Sequence, residues 1–93
     1  MVTMSATLLV RHTVADYPAW RAVYDEVDGL RTSHGCTEQR VLQLPGDAND
    51  VLAIHEFPTV DQAREFAEDP SLKEAMGRGG VTSAPRVEIF ESA

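Results

Sequence analysis

The sequence predicts an α+β domain of ferredoxin-like plan, β-α-β-β-α-β, built on a four-stranded antiparallel sheet. Three observations predict it. Four short runs are rich in β-branched and apolar residues, two intervening segments carry apolar residues at helical spacing, and their order is that of a split β-α-β unit. At 93 residues there is room for one domain, spanning 1–93.

The first strand is Ser5 to Val14, where Leu8, Leu9 and Val10 precede Arg11, His12 and Thr13. Asp16 then stands at a helix N-cap, with Pro18 in the first turn, where a missing N–H costs little. Trp20, Val23, Tyr24, Val27 and Leu30 recur at steps of three and four, so one amphipathic helix is expected, with Gly35 as its left-handed stop. Cys36 to Leu44 suits a second strand. Pro45 to Asp50 is dense in turn formers and reads as a hairpin loop. Val51 to Phe57 follows as the third strand. Thr59 caps a second helix carrying Val60, Ala63, Phe66 and Ala67, which Asp69-Pro70-Ser71 interrupts before Leu72, Ala75 and Met76 resume helical spacing. Gly77, Gly79 and Gly80 end it, and Pro85 to Glu91 is the last strand.

The charge balance is −7, from 8 Lys+Arg against 15 Asp+Glu. Nucleic acid and anionic membrane are therefore not expected partners, because both require a clustered basic surface. No apolar run is long enough for a membrane span. A single cysteine, Cys36, and a start, Met1 to Ser5, without a basic leader region point to a reducing, cytoplasmic setting.

Right-handed crossovers place both helices on one face of such a sheet. The other face should then alternate into polar residues if it met water. Instead Leu8 and Val10 are opposed in phase by Leu9; Val51, Ala53 and Phe57 by Leu52 and Ile54; Val87 and Ile89 by Phe90. Leaving four such side chains wet would forgo about 6–12 kcal/mol, comparable with a whole domain's stability. A homodimer joined through the open sheet face is the expected remedy.

The segment Val10-Arg11-His12-Thr13-Val14-Ala15-Asp16-Tyr17-Pro18-Ala19-Trp20, with the Ile54-His55-Glu56-Phe57 strand and the helix after it, resembles the dimeric α+β barrel superfamily. Within it, the chain is similar to small antibiotic-biosynthesis-monooxygenase-like and cyclase-like proteins. The likeness spans nearly the whole chain in element order. It implies two sheets packed into a barrel and a pocket between sheet and helices in each subunit, but the fold alone does not choose among the chemistries of the relatives; no cofactor is expected. Relatives include cofactor-free oxygenases of polyketide quinols, lactone isomerases and haem-degrading enzymes. The haem-degrading relatives use a histidine in the second-helix region, and Thr59 to Gly80 contains none, which argues against haem.

Candidate chemistry rests first on histidine, whose ordinary pKa lies near neutrality. His55 is the first candidate for proton transfer because Glu56 adjoins it, although alternating side chains point the two to opposite faces; His12 is the second. His12 is expected toward the opposite end of the sheet from His55 and His34. Each histidine also has a plain reading as a hydrogen-bonded core or rim residue. Trp20 and Tyr24, one turn apart, would form an aromatic wall for a flat ligand or simply pack helix to sheet. Arg11 would hold an anionic substrate group or pair with a nearby carboxylate. No metal site is expected, since no HxH, HxxxH or CxxC spacing occurs. Cys36 lies two residues from His34, but Gly35 between them marks a helix stop. Gly77-Arg78-Gly79-Gly80 lacks the Lys-Ser/Thr ending of a phosphate loop.

Two functions follow. One is a cofactor-independent enzyme, a monooxygenase, cyclase or isomerase, acting on a small aromatic or polyketide-like molecule in a barrel pocket. The alternative is a non-catalytic hydrophobic-ligand-binding or accessory dimerisation protein.

Overall fold

A computed structural model describes residues 5–93. The segment Met1 to Met4, read above for the lack of a leader, lies outside the described residues. The chain runs β1 (Ala6–Thr13), α1 (Tyr17–Glu26), α2 (Asp28–Ser33), β2 (Glu38–Leu44), β3 (Asp47–Phe57), α3 (Val60–Glu68), α4 (Pro70–Arg78) and β4 (Arg86–Glu91). The strands form one antiparallel sheet in the order β2-β3-β1-β4. This is the ferredoxin-like α+β arrangement that the element order predicts, with each helical unit divided in two.

The caps explain the helix starts. Asp16 is extended and its Oδ2 accepts from Ala19 N at 3.1 Å, with Pro18 in the first turn. Thr59 does the same for α3, accepting from Gln62 N at 3.1 Å. Asp69 separates α3 from α4 and caps the latter through Ser71 N at 2.8 Å, with Pro70 as its first residue.

The single helix expected from Trp20 to Leu30 is interrupted at Val27 (φ −93°, ψ 18°). Asp28 and Gly29 are weak helix formers and follow at once. The chain there still closes turns, with Leu30 N and Arg31 N both donating to Val27 O. The hairpin also differs from expectation. Only Pro45 and Gly46 (φ 86°) form the turn, and β3 begins at Asp47. The turn formers from Asp47 to Asp50 continue as strand because tertiary bonds hold them. Asn49 O accepts from Val14 N at 2.9 Å and Asn49 Oδ1 from Tyr17 N at 3.0 Å, fastening β3 to the start of α1.

Strand alternation sets the two faces of the sheet. Ala6, Leu8, Val10 and His12 of β1, with Val51, Ala53, His55 and Phe57 of β3, are buried against the helices. Trp20 and Tyr24 from α1, Ala63 and Phe66 from α3 and Ala75 from α4 are the buried hydrophobic helix residues that close over them. The opposite face carries Leu9, Leu52 and Ile54, half-buried in a single chain, and the exposed Leu42, Leu44 and Phe90. Both faces of the sheet are thus apolar at their centre, while ion pairs such as Arg11–Asp50 and Arg86–Glu88 lie among the open-face residues.

Candidate functional site

A cavity lies between the sheet and the helices. Its floor is Val10, His12, Ala53 and His55; Trp20, Tyr24, Phe66 and Ala75 form its walls; Val23, Val27, Leu72 and Met76 line its helix side, and Arg31 closes one end. Its volume is about 40 Å³, room for about three water molecules.

Aromatic rings surround it in series. The His12 ring meets the Trp20 ring edge-on at 5.5 Å, Trp20 lies 4.9 Å from Tyr24, Tyr24 lies 5.9 Å from His55, and His55 meets Phe66 edge-on at 5.5 Å. Strand alternation makes this possible. His12 and His55 sit in the inward phase of adjacent strands, opposite Val51 and Leu8 respectively, so both face the helices although they lie well apart along the sheet. Trp20 and Tyr24 reach down from one stripe of α1.

The central polar contact is a buried hydrogen bond of 3.0 Å between Tyr24 Oη and His55 Nε2. Among the described residues Tyr24 Oη has no other partner, and His55 Nδ1 has none at all. The arrangement with fewest unpaired groups has the phenol donating to Nε2 and the imidazole proton on Nδ1. Burial pushes the Tyr24 hydroxyl up to about 12, against the opposing pull of Arg31. Burial, reinforced by the Arg31 charge, holds His55 down at about 4. Near neutral pH the pair is therefore a protonated phenol on a neutral imidazole. The His12 imidazole is lowered too, by burial above all, and its Nδ1 is buried without a partner among the described residues.

Arg31 is the residue that sequence reasoning missed. Its side chain is almost wholly buried, and its guanidinium carbon lies 3.8 Å from the centre of the Tyr24 ring. Its Nε donates to Gln39 Oε1, and an Nη donates to Asp28 at 3.5 Å. The signal was present. Arg31 follows Tyr24 by seven residues, so it occupies the next position on the stripe that Trp20, Tyr24 and Val27 define.

The other candidates lie elsewhere. Arg11 sits in the outward phase of β1, on the opposite face from Trp20 and Tyr24, and grips Asp50 with two bonds of 3.1 and 3.0 Å. Its outward position removes it from the aromatic cavity. Glu56 also faces outward and accepts from Thr7 Oγ1 at 2.7 and 2.9 Å, so the shift of His55 owes nothing to the neighbouring carboxylate. His34 caps the end of α2 and bonds Asp69 at 2.8 Å, away from His12 and His55. The Cys36 thiol donates to Glu38 O, and burial raises its pKa. Among the described residues no three His, Cys, Asp or Glu side chains converge to hold a metal ion.

Neither a protein-family model nor any curated protein sequence matches the chain. Solved structures do. SnoaB, a cofactor-independent oxygenase from Streptomyces nogalater, superposes with a TM-score of 0.78 at 15% identity, covering 96% of this chain and 93% of that one. A candidate antibiotic biosynthesis monooxygenase from Bordetella bronchiseptica gives a TM-score of 0.78 at 13% identity, covering 99% of both chains. A second such candidate, from Nitrosomonas europaea, gives 0.73 at 12% identity, covering 99% of this chain and 92% of that one. The chain thus has the fold of the antibiotic-biosynthesis-monooxygenase-like proteins, as its element order and its Val10–Trp20 segment led one to expect.

Proposed function

We propose that this protein is a cofactor-independent enzyme, a monooxygenase, cyclase or isomerase, that acts on a small aromatic or polyketide-like molecule in the cavity between sheet and helices. One observation carries this reading: the buried Tyr24–His55 hydrogen bond lies in a cavity walled by aromatic rings. An apolar site with a few convergent polar groups and shifted pKa values is the usual form of a small-molecule site. His55 is the group that moves a proton. Held unprotonated near neutral pH, its Nε2 takes the Tyr24 hydroxyl proton as the phenol oxygen takes one from an acidic C–H or O–H of the ligand. Trp20 and Tyr24 orient the ligand's ring, and His12 supplies a second polar contact on the floor. Cofactor-free oxygenation is feasible for an electron-rich anion, because the site need only stabilise that anion.

In this reading the working unit is a cytoplasmic homodimer. The apolar residues Leu9, Leu52, Ile54 and Phe90 on the uncovered face are the motive for pairing, since a second sheet laid on them removes them from water.

A second reading, non-catalytic hydrophobic-ligand binding or an accessory dimerisation role, is favoured by the size of the cavity. At about 40 Å³ it admits a polycyclic ligand only if the helices part. The test is to follow oxygen uptake and absorbance while the protein meets a panel of quinols and phenols. Turnover lost in His55→Ala and kept in His12→Ala supports the proton-transfer assignment. Saturable binding without product favours the second reading, and neither outcome with any compound rejects both.

A further inference from the structure

The cavity carries a positive charge that the protein itself neutralises poorly. Arg31 is 1% exposed, yet its carboxylate partner, Asp28, is 3.5 Å away and its side chain is 62% exposed. The shorter contact of the guanidinium is to Gln39, a neutral amide. Among the described residues, hydrogen bonds engage Nε and one Nη of a group that offers five N–H donors. Burying a cation with this little compensation is unfavourable, and a site commonly accepts that when a ligand completes the pairing.

A second unmet donor stands beside the same ring. Arg31 lies over Tyr24, and His55 is hydrogen-bonded to the Tyr24 hydroxyl. With the phenol donating to Nε2, the imidazole presents an Nδ1–H that no atom of the described residues accepts. Guanidinium and imidazole both offer donors, and the nearest carboxylate is turned largely to solvent. The half-buried Val23, Val27, Leu72 and Met76 on the helix side select an apolar body over a hydrated inorganic ion.

We infer that the ligand of this cavity is an organic oxyanion on a planar apolar body, a carboxylate, enolate or phenolate, and that Arg31 is its counter-charge. The inference rests on the reading of the cavity as a small-molecule site and deepens it by fixing the charge of what binds. Arg31 is placed to favour the deprotonated form of an enol or phenol, the form on which cofactor-free chemistry depends.

The chain has one tryptophan, Trp20, and it lines the cavity, so its fluorescence reports occupancy. The probes are benzoate and benzamide, nearly identical in shape and different in charge. At neutral pH benzoate is expected to bind about tenfold or more tighter than benzamide, on the scale of a charge-assisted hydrogen bond. Arg31→Gln should bring benzoate down towards the benzamide level and weaken benzamide far less, and Arg31→Lys should keep part of the preference. The comparison in the unaltered protein stands by itself if Arg31→Gln does not fold. Equal binding of the two probes overturns the counter-charge and leaves the small-molecule site standing. A benzoate preference that survives unchanged in folded Arg31→Gln also overturns it. No fluorescence change with either probe up to about 10 mM, the weak end of specific binding, overturns the inference and the small-molecule site together.

Discussion

Tyr24 and His55 meet across 3.0 Å, tying the middle of α1 to the inward face of β3 at the floor of the cavity. The contact is both structural and chemical. It satisfies two polar atoms that burial would otherwise leave stranded, and it sets which imidazole nitrogen holds the proton.

Removing the hydroxyl tests the structural part. Tyr24→Phe keeps the ring that stacks between Trp20 and His55 but strands Nε2 in the core. A loss of about 1–3 kcal/mol is expected, the cost of one buried unsatisfied acceptor. Urea denaturation reads it directly, and a neutral result would mean that water replaces the phenol.

The lowered His55 pKa makes stability depend on pH. In the unfolded chain the imidazole titrates near 6.5, whereas in the fold burial and Arg31 hold it at about 4. Between those values the unfolded state binds the proton and the native state does not, so stability falls as pH falls from about 6.5 towards 4. The loss approaches about 3 kcal/mol for His55 alone; His12, lowered in the same direction, adds to it. The carboxylates of Asp50 and Asp69, held below their ordinary value by Arg11 and His34, act only at lower pH. Denaturation midpoints measured through this window should drop steadily in the native sequence and much less in His55→Gln. A flat native profile would contradict the assignment.

Two glycines offer a matched steric test. A Cβ on Gly79 would lie 3.0 Å from Trp20 Cδ1 and 3.3 Å from Ala75 O. Its φ of −76° is ordinary, so the obstacle is space and not backbone conformation. Gly79→Ala should cost about 1–2 kcal/mol through overpacking and shift the Trp20 emission. Gly29 in α2 has nothing within 4 Å of the same position. Gly29→Ala should stabilise by up to about 1 kcal/mol through helix propensity. Thermal melts of the two variants should move in opposite directions.

The open face predicts the assembly. Ile54 lies near its centre, in a strand flanked on both sides. Sedimentation at micromolar concentration should find a dimer, and Ile54→Arg should yield a folded monomer, because a charge there meets water in one chain and an apolar sheet in two. A native protein that sediments as a monomer would remove the dimer from the proposed function.

Much of the site was legible because strands and helices repeat with fixed periods. Alternation along Leu8–His12 and Val51–Phe57 sorts inward from outward side chains, and the stripe from Trp20 to Val27 identifies the ring-bearing face of α1. The convergence of His12 and His55 on one cavity was not legible. It depends on how far the helix side chains reach between two residues four positions apart in register. Arg31 was overlooked because a cation on an apolar stripe reads as its end, whereas Tyr24 and Gln39 enclose it.

Local rules written into neighbouring residues were sufficient for the element order, the caps at Asp16 and Thr59, the apolar phases of the sheet and the stops at Asp69 and Gly35. Contacts between distant segments decided the rest. Asn49 turned an expected loop into strand by bonding the start of α1, and Arg11 went to Asp50 instead of the cavity. Tyr24, not Glu56, became the partner of His55. These outcomes share one physical reason. A buried polar group must find a partner wherever the packed chain supplies one, and sequence spacing does not reveal which distant atom will be within 3 Å.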